Sequence, residues 1–339
     1  MNIHETKNAA VVGTTGWGTT LAILLARKGI AVNLLARTKE EAEKLIKDGE
    51  NIRFAPDIAF PDTLKVTSSP KTAIGDADVI IIAVPSNTIR ANISRIASFI
   101  KPESILVSAT KGLEIKTGMR VTEMISEELK AEWSGTLCVL SGPNLANEIL
   151  RGKPSTTVIA CDSESQAKKV QDIFSSELFR VYTNNDIVGV ELGGALKNVF
   201  AIGAGICDGM KVGDNAKAAF VTRGLAEMVR LSSAAGGNPL TIAGLAGMGD
   251  MIATCYSELS RNRTVGFQLA AGMELNDLLQ SMNQVAEGVV TTAAVVELSN
   301  RLKVDMPITK CTYEILYENL SLEAAMSGLL GRDPASEWN

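Results

Sequence analysis

One lysine lies inside an apolar, small-residue segment where its charge needs a partner. Between Val188 and Ile206 the only charged residues are Glu191 and Lys197. On a helix these two residues, six positions apart, point to different faces, so the acid cannot neutralise the base as an i,i+4 partner would. A buried lysine with an adjustable pKa is a candidate acid or base. A lysine whose stem covers a helix-packing surface would give the same pattern, so both interpretations stay open on this segment alone.

A glycine-rich turn near the N-terminus is the second segment with chemical potential. Gly13-Thr14-Thr15-Gly16-Trp17-Gly18 joins a β-branched run to a helical pattern, which is how a Rossmann turn places a dinucleotide pyrophosphate on a helix N-terminus. Thr15 replaces the glycine that lets a cofactor approach the backbone, so we expect Thr15→Gly to tighten NAD(P)H binding. The next β-branched run leads to Arg37, with no Asp or Glu for a ribose 2′-hydroxyl, which favours NADPH over NADH.

The elements around these segments predict a two-part chain. Seven short apolar or β-branched runs alternate with helical patterns: Ala9–Val12, Ala31–Leu35, Val79–Val84, Ile105–Ser108, Leu137–Leu140, Thr156–Ala160 and Arg180–Tyr182. This alternation predicts an α/β, doubly wound, mainly parallel sheet over residues 1–186. Helical patterns alone fill residues 187–339, so we expect an all-α second domain with the active cleft between the two. Three strand-end segments should line one crevice: Pro85-Ser86-Asn87, Lys111-Gly112 and Ser141-Gly142-Pro143-Asn144.

Composition and charge exclude several classes of function. The chain has 339 residues, 46% of them hydrophobic, and a net charge of −5, which argues against nucleic acid or an anionic membrane as a partner. The glycines and threonines within Ala9–Ala26 argue against a signal peptide or membrane anchor. Five scattered cysteines and a single histidine, His4, give no metal-site spacing and fit a reducing cytosol. Lysine or carboxylate groups must therefore carry any proton transfer.

The chain resembles the bacterial-type NAD(P)-dependent glycerol-3-phosphate dehydrogenases nearly from end to end. The segments that carry the resemblance are Lys111-Gly112, Ser141-Gly142-Pro143, Glu191-Leu192-Gly193-Gly194-Ala195-Leu196-Lys197-Asn198, Gly247-Met248-Gly249-Asp250, Ser260-Arg261-Asn262-Arg263, Glu287-Gly288 and Met306-Pro307-Ile308. The resemblance implies interconversion of sn-glycerol 3-phosphate and dihydroxyacetone phosphate, usually for phospholipid synthesis. It also implies a cytoplasmic homodimer.

The resemblance also implies a role for each site residue. Lys197 would donate the proton to the ketone oxygen, with Asp250 beside it to orient and charge it. Substrate would contact Lys111, Gly142, Asn144, Lys197, Asp250, Ser260, Arg261 and Asn262. Cofactor would contact Gly13, Gly16, Trp17, Gly18, Arg37, Lys111, Ala146, Arg261, Val285 and Glu287. No metal is implied.

Other interpretations remain open at this stage. Ser260 and Asp250 could simply cap helices, and Glu287 could be a surface carboxylate. A related dehydrogenase of hydroxy acids would also combine a Rossmann domain with a helical domain that presents a lysine. Because Thr15 departs from the usual glycine, a cofactor-binding protein without turnover is a third hypothesis. Asn144 stands where serine or threonine is common in the family, and we expect it to tune the substrate pocket.

Overall fold

The computed structural model describes residues 6–129, 133–282, 286–332 and 336–337. His4 and Val285 lie outside the described residues. The strands are β1 (Asn8–Val12), β2 (Ala31–Leu35), β3 (Glu50–Asn51), β4 (Ala55–Ala59), β5 (Leu64–Thr67), β6 (Val79–Ile82), β7 (Ile105–Ser108), β8 (Leu137–Ser141), β9 (Ser155–Ala160) and β10 (Phe179–Asn184).

The main sheet has the order β10-β9-β8-β7-β6-β1-β2-β5. Neighbouring strands pair in parallel except β8 and β9, which pair antiparallel. All seven predicted runs are strands of this sheet, so the predicted fold class is confirmed. The sequence interpretation missed edge strand β5 and the β3–β4 hairpin, because β5 has four residues of alternating polarity and β3 has only two.

Helices cover both faces of the sheet and fill the second half of the chain. Over the sheet lie α1 (Gly16–Arg27), α2 (Lys39–Asp48), α3 (Pro70–Ile74), α4 (Ile89–Ile96), α5 (Val121–Glu128), α6 (Ala146–Leu150) and α7 (Glu164–Phe174). The second half contains α8 (Ile187–Gly209), α9 (Asp214–Ala234), α10 (Pro239–Ile242), α11 (Asp250–Tyr256), α12 (Arg261–Ala270), α13 (Leu275–Ser281), α14 (Glu287–Leu302), α15 (Pro307–Tyr317) and α16 (Leu322–Leu330). No strand occurs among its described residues, as predicted.

Strand β6 shows why the sheet needs helices on both faces. Successive strand residues point to opposite faces, so Val79 and Ile81 join one apolar core while Ile80 and Ile82 join the other. All four side chains are fully buried. A strand that is apolar on both faces is typical of a parallel sheet covered twice. The carboxyl ends of β6, β7 and β8 consequently meet at one edge, beside the second half of the chain.

Helix α8 is the core of the helical half. Every residue from Gly189 to Ile206 is buried, and α8 packs against α9, α11, α12 and α14. Its length and apolar composition would allow it to cross a membrane, but 89% of its most apolar window is buried inside the protein. Its apolarity is therefore explained by helix packing. The chain passes from β10 into α8 between Asn184 and Ile187, where the domain boundary at residue 186 remains a prediction.

Candidate active site

Lys197 is buried on α8, and its charged end meets a carboxylate and a hydroxyl from α11. Its Nζ donates to Asp250 Oδ1 at 2.5 Å and to Thr254 Oγ1 at 2.7 Å. The Thr254 hydroxyl in turn donates to the Asp250 carbonyl oxygen at 2.6 Å, which fixes the hydroxyl as an acceptor for the lysine. The structure therefore brings Lys197 together with its predicted partner Asp250, which lies 53 positions away in the sequence.

The other charge on α8 has a separate partner, as its position on the helix predicts. Glu191 accepts from Arg120 Nη1 at 2.7 Å and from the backbone amide of Thr122 at 2.9 Å. Both partners lie at the start of α5, on the sheet side of the molecule. This pairing holds α8 against the sheet and leaves Lys197 to Asp250.

A second lysine shares the same carboxylate. Lys111 follows β7, and its Nζ donates to Asp250 Oδ2 at 2.5 Å and to the Gly142 carbonyl oxygen after β8 at 3.0 Å. The ends of β7 and β8 are thereby joined to α11, which carries Asp250, and through Asp250 to Lys197 on α8. Asp250, whose side chain is 2% exposed, uses one oxygen for each lysine.

Two backbone features bring these groups within reach of each other. Asp250 begins α11 directly after a π-helical turn over Leu245–Gly249, a distortion that often occurs at functional sites. At Gly194 of α8, a β-carbon would lie 2.5 Å from Ser141 Oγ and 3.4 Å from Lys111 Cγ. The small residues on the Lys197 face therefore allow the strand ends to approach the helix closely.

The buried environment changes the acid strength of Lys197. The pKa of Lys197 is lowered to about 8, chiefly because a buried ammonium group loses its hydration, and the neighbouring Lys111 charge acts in the same direction. Asp250 opposes this decrease by attracting the charged form. A lysine with a pKa near neutrality can both give and take a proton at physiological pH, as a general acid and base must.

Glu287 and Arg261 face this cluster from the helical half. Burial raises the pKa of Glu287 to about 7, and the charges of Arg261, Lys111 and Lys197 oppose that rise. A β-carbon at Gly112 would lie 3.5 Å from Glu287 Oε2, so the loop after β7 reaches the start of α14. Glu287 is therefore part of the cleft, and the surface interpretation does not describe it.

The start of α12 presents the predicted phosphate-binding segment. Ser260 is buried and caps the helix by accepting from the Arg263 amide at 3.3 Å, which confirms the capping interpretation as one part of its role. Asn262 is also buried, donating to Asn198 Oδ1 at 2.9 Å and accepting from the Gly288 amide at 2.9 Å. Asn262 thereby ties α12 to the residue after Lys197 and to the residue after Glu287.

The glycine-rich turn has the geometry expected for binding a pyrophosphate. Gly13 adopts a φ of +110°, which side chains disfavour, and a β-carbon there would lie 2.6 Å from the Ala83 carbonyl oxygen. Around Gly16, in contrast, the nearest atoms to such a β-carbon belong to Phe54, at 3.7 Å and beyond. The first amides of α1, including those of Gly16 and Trp17, have no acceptors within the helix. The turn therefore packs closely against the end of β6 at Gly13 and leaves space beside Gly16.

Thr15 has a structural role in this turn that the sequence did not reveal. Its hydroxyl accepts from the Gly18 amide at 3.1 Å, which caps α1, and donates to the Ala83 carbonyl oxygen at 2.9 Å. The side chain is therefore engaged by the helix and by the end of β6. This changes the expectation that Thr15 obstructs the cofactor.

From this geometry we expect Thr15→Gly to destabilise the fold without increasing the affinity for NAD(P)H. Loss of the cap and of the bond to Ala83 should lower the free energy of unfolding by about 1 kcal/mol. Urea unfolding and cofactor titration measure the two effects, and Thr15→Ser, which keeps the hydroxyl, serves as the control. Tighter NAD(P)H with unchanged stability would restore the steric interpretation.

A carboxylate stands beside the end of β2, contrary to the sequence expectation of none. Glu41, in the first turn of α2, accepts from the Arg37 amide at 2.9 Å and from the Thr14 hydroxyl at 2.5 Å. Thr38 caps α2 by accepting from the Glu41 amide at 3.2 Å. The sequence signal that could have revealed Glu41 is the capping residue Thr38 followed by helical residues. A helix that begins at this cap places residue 41, four positions after Arg37, back beside the end of β2.

The remaining predicted residues lie along the same edge of the sheet. Asn144 donates to the Thr156 carbonyl oxygen at 2.9 Å and accepts from the Thr157 hydroxyl at 2.9 Å, so its amide secures the loop after β8 to β9. Ala146 is the first residue of α6, directly after that loop. Their proposed contacts with substrate and cofactor stay predictions.

The fold and the site together define a dinucleotide-dependent oxidoreductase. The residues fit the cofactor, because the open glycine turn, the strand-end crevice and the buried lysine lie along one face. Within the parts of the chain that the structure describes, no group of three or more His, Cys, Asp or Glu side chains could hold a metal ion.

Comparisons with known proteins identify the family. The models for the N-terminal and C-terminal parts of NAD-dependent glycerol-3-phosphate dehydrogenase match residues 8–167 and 186–327. This chain belongs to that family.

Relatives that align over nearly their whole length share one name. A glycerol-3-phosphate dehydrogenase [NAD(P)+] of Prosthecochloris aestuarii is 48% identical over 327 residues, which are 96% of this chain and 98% of the relative. One of Dehalococcoides mccartyi is 48% identical over 96% of this chain and 91% of its own length. The crystal structure of the Coxiella burnetii glycerol-3-phosphate dehydrogenase superposes with a TM-score of 0.92 at 37% identity, covering 96% of this chain and 99% of that one.

Proposed function

We propose that this chain interconverts sn-glycerol 3-phosphate and dihydroxyacetone phosphate with NAD or NADP. The observation that carries the proposal is the buried Lys197–Asp250 pair, joined through Lys111 to the strand ends above which a dinucleotide binds in such folds. Membership of the family supports this function over a hydroxy-acid dehydrogenase.

The residues of the chain supply positioning and a proton. When bound, the nicotinamide cofactor donates hydride to the carbonyl carbon or accepts it from the alcohol. Lys197 Nζ gives its proton to the ketone oxygen during reduction and takes it back during oxidation. Asp250 keeps the ammonium form available by attracting it, and it aligns Lys197 with Lys111. Lys111 adds a second positive charge beside the oxygen that becomes an alkoxide.

The start of α12 binds the substrate phosphate in this proposal. Arg261 supplies a charged donor, the Ser260 hydroxyl supplies another, and the helix N-terminus favours an anion. Asn262 has one amide proton beyond its bond to Asn198 and can direct it to the phosphate. The phosphate is thus held by α12, which packs against α8, the helix that carries the proton donor.

A panel of ketones tests the proposed substrate class. Oxidation of NADPH and NADH is followed with dihydroxyacetone phosphate and with small 2-oxo acids. We expect turnover with the phosphorylated ketone alone. Preference for 2-oxo acids would favour the hydroxy-acid dehydrogenase, whereas cofactor binding without oxidation of any ketone would favour the binding protein without turnover.

Arg261→Ala should chiefly raise the KM for dihydroxyacetone phosphate. A charge-assisted contact with a dianion contributes roughly 1.5–3 kcal/mol, so the KM should rise about 10- to 100-fold. The kcat/KM for unphosphorylated dihydroxyacetone should change little in Arg261→Ala, because this ketone lacks the group that Arg261 binds. It serves as the control substrate. An unchanged KM for the phosphorylated ketone would assign the phosphate to another basic group.

The cellular setting is part of the proposal. A cytosolic homodimer that supplies glycerol 3-phosphate for phospholipid synthesis agrees with the family and with a chain whose longest apolar helix is buried in its own core. Sedimentation of the purified protein tests the dimer.

A further inference from the structure

Glu41 links the two backbone segments that would flank the adenosine of a bound dinucleotide. Thr14 belongs to the glycine-rich turn after β1, and Arg37 follows the end of β2. One carboxylate oxygen of Glu41 accepts from each, at 2.5 and 2.9 Å. Because β1 and β2 are parallel neighbours, this carboxylate stands in the crevice outside their carboxyl ends.

This crevice is where nucleotide-binding sheets of this kind discriminate between the two cofactors. An acidic side chain near the end of the second strand accepts from the ribose hydroxyls of NAD, whereas a nearby arginine accommodates the 2′-phosphate of NADP. Here both residue types meet at one place, since the Glu41 carboxylate is bonded to the backbone of Arg37 itself.

The bonding of Glu41 leaves it able to bind a ribose. An ionised carboxylate has about four acceptor positions, and the two bonds to Thr14 and Arg37 use two of them. The side chain is only partly buried. Asn51 fixes the turn on its other side by donating to the Thr14 carbonyl oxygen at 3.0 Å. The carboxylate is therefore held in place and still accessible.

We propose that Glu41 is a cofactor-specificity residue that accepts from the ribose hydroxyls of NADH and repels the 2′-phosphate of NADPH, in opposition to Arg37. This inference rests on the proposed use of a nicotinamide dinucleotide. The opposing charges account for a protein that uses both cofactors. Removing the Glu41 charge should favour NADPH, and removing the Arg37 charge should favour NADH.

Binding measurements with Glu41→Gln test the inference without turnover. Glutamine has nearly the same shape and loses the charge; its amide oxygen can still accept from the Arg37 amide, and its NH2 group can donate to the Thr14 hydroxyl. Removal of a like charge within a few ångströms of the 2′-phosphate should shift the ratio of the NADPH and NADH dissociation constants about tenfold toward NADPH. Cofactor fluorescence titration gives both constants.

Matched variants separate this effect from a general change in charge. Glu40→Gln removes the neighbouring exposed carboxylate of the same helix turn and should leave the ratio within about twofold, as expected for a solvated surface charge. Glu41→Asp keeps the charge and should retain more of the NADH affinity than Glu41→Gln. Arg37→Ala should shift the ratio the other way, weakening NADPH and leaving NADH almost unchanged.

An unchanged ratio in Glu41→Gln, or equal changes for both cofactors, would overturn the inference. So would a Glu40→Gln effect of the same size. Failure to bind either cofactor would instead overturn the proposed function, since the titrations contain no substrate.

Discussion

A methionine in place of Lys197 should lower kcat by roughly 10²- to 10⁴-fold while leaving the NADPH dissociation constant near its original value. Methionine keeps an unbranched stem in the buried space on α8 but cannot donate a proton to the ketone oxygen. Steady-state kinetics with dihydroxyacetone phosphate and cofactor titration measure the two quantities. Near-normal turnover would remove Lys197 from the role of acid.

A second buried lysine provides the control. Lys217 on α9 donates to Asp208 at 2.7 Å and is as buried as Lys197, yet it lies outside the proposed site. Lys217→Met should therefore reduce stability through its lost ion pair and leave kcat nearly unchanged. A comparable loss of kcat in both variants would mean that any broken buried pair disables the enzyme.

The pH dependence gives the Lys197 prediction a sign. Reduction requires the protonated lysine, so kcat for dihydroxyacetone phosphate should fall as the pH rises through about 8. Oxidation of glycerol 3-phosphate requires the neutral lysine and should increase over the same range. Lys197→Met should lose this titration in both directions, a change that a purely structural role would not produce.

Asp250→Asn should lower kcat for reduction at neutral pH by about 10- to 100-fold by removing the proton from Lys197. Asp250 attracts the ammonium form, and without it burial and Lys111 both lower the lysine pKa below about 8. The loss of activity with rising pH should therefore begin at a lower pH. Breaking a buried pair should also cost about 3–5 kcal/mol of stability, less whatever is recovered when the lysine becomes neutral.

Asp208→Asn is the matched control for this variant. Asp208 also serves two basic side chains, accepting from Lys217 and from Arg263 at 2.6 Å, but it is not placed in the site. We expect it to lose stability without a shift in the pH profile. If Asp250→Asn lost only stability as well, and kept its pH profile, Asp250 would be a structural residue.

The sheet could be predicted from sequence because its strands are apolar on both faces. The four consecutive apolar side chains of Val79–Ile82 indicate a strand that is buried between two layers of helices, and all four are buried. Strand β5 lies at the sheet edge, and its partly exposed residues give no such signal. The long helix α8 was evident from its composition, because small and apolar residues alone fit a helix buried on all sides.

The site was predictable only in part. The need for a carboxylate near Lys197 follows from the segment itself, but the choice of Asp250, on a later helix, came from the resemblance. Glu41 was missed because its carboxylate returns to β2 from the next helix, and strand-end residues alone do not show this. The capping role of Thr15 could not be predicted, because capping depends on where the hydroxyl points, and the glycine pattern does not contain that information.

The most direct test of the central claim compares two ketones that differ only in the phosphate. Oxidation of NADPH is followed with dihydroxyacetone phosphate and with dihydroxyacetone, using the unaltered protein. The buried lysine beside a phosphate-binding helix start predicts a kcat/KM at least about 100-fold higher for the phosphorylated ketone, the factor expected from charge-assisted contacts with its phosphate. Equal kcat/KM values, or no oxidation of either ketone by protein that binds NADPH, would contradict the proposed function.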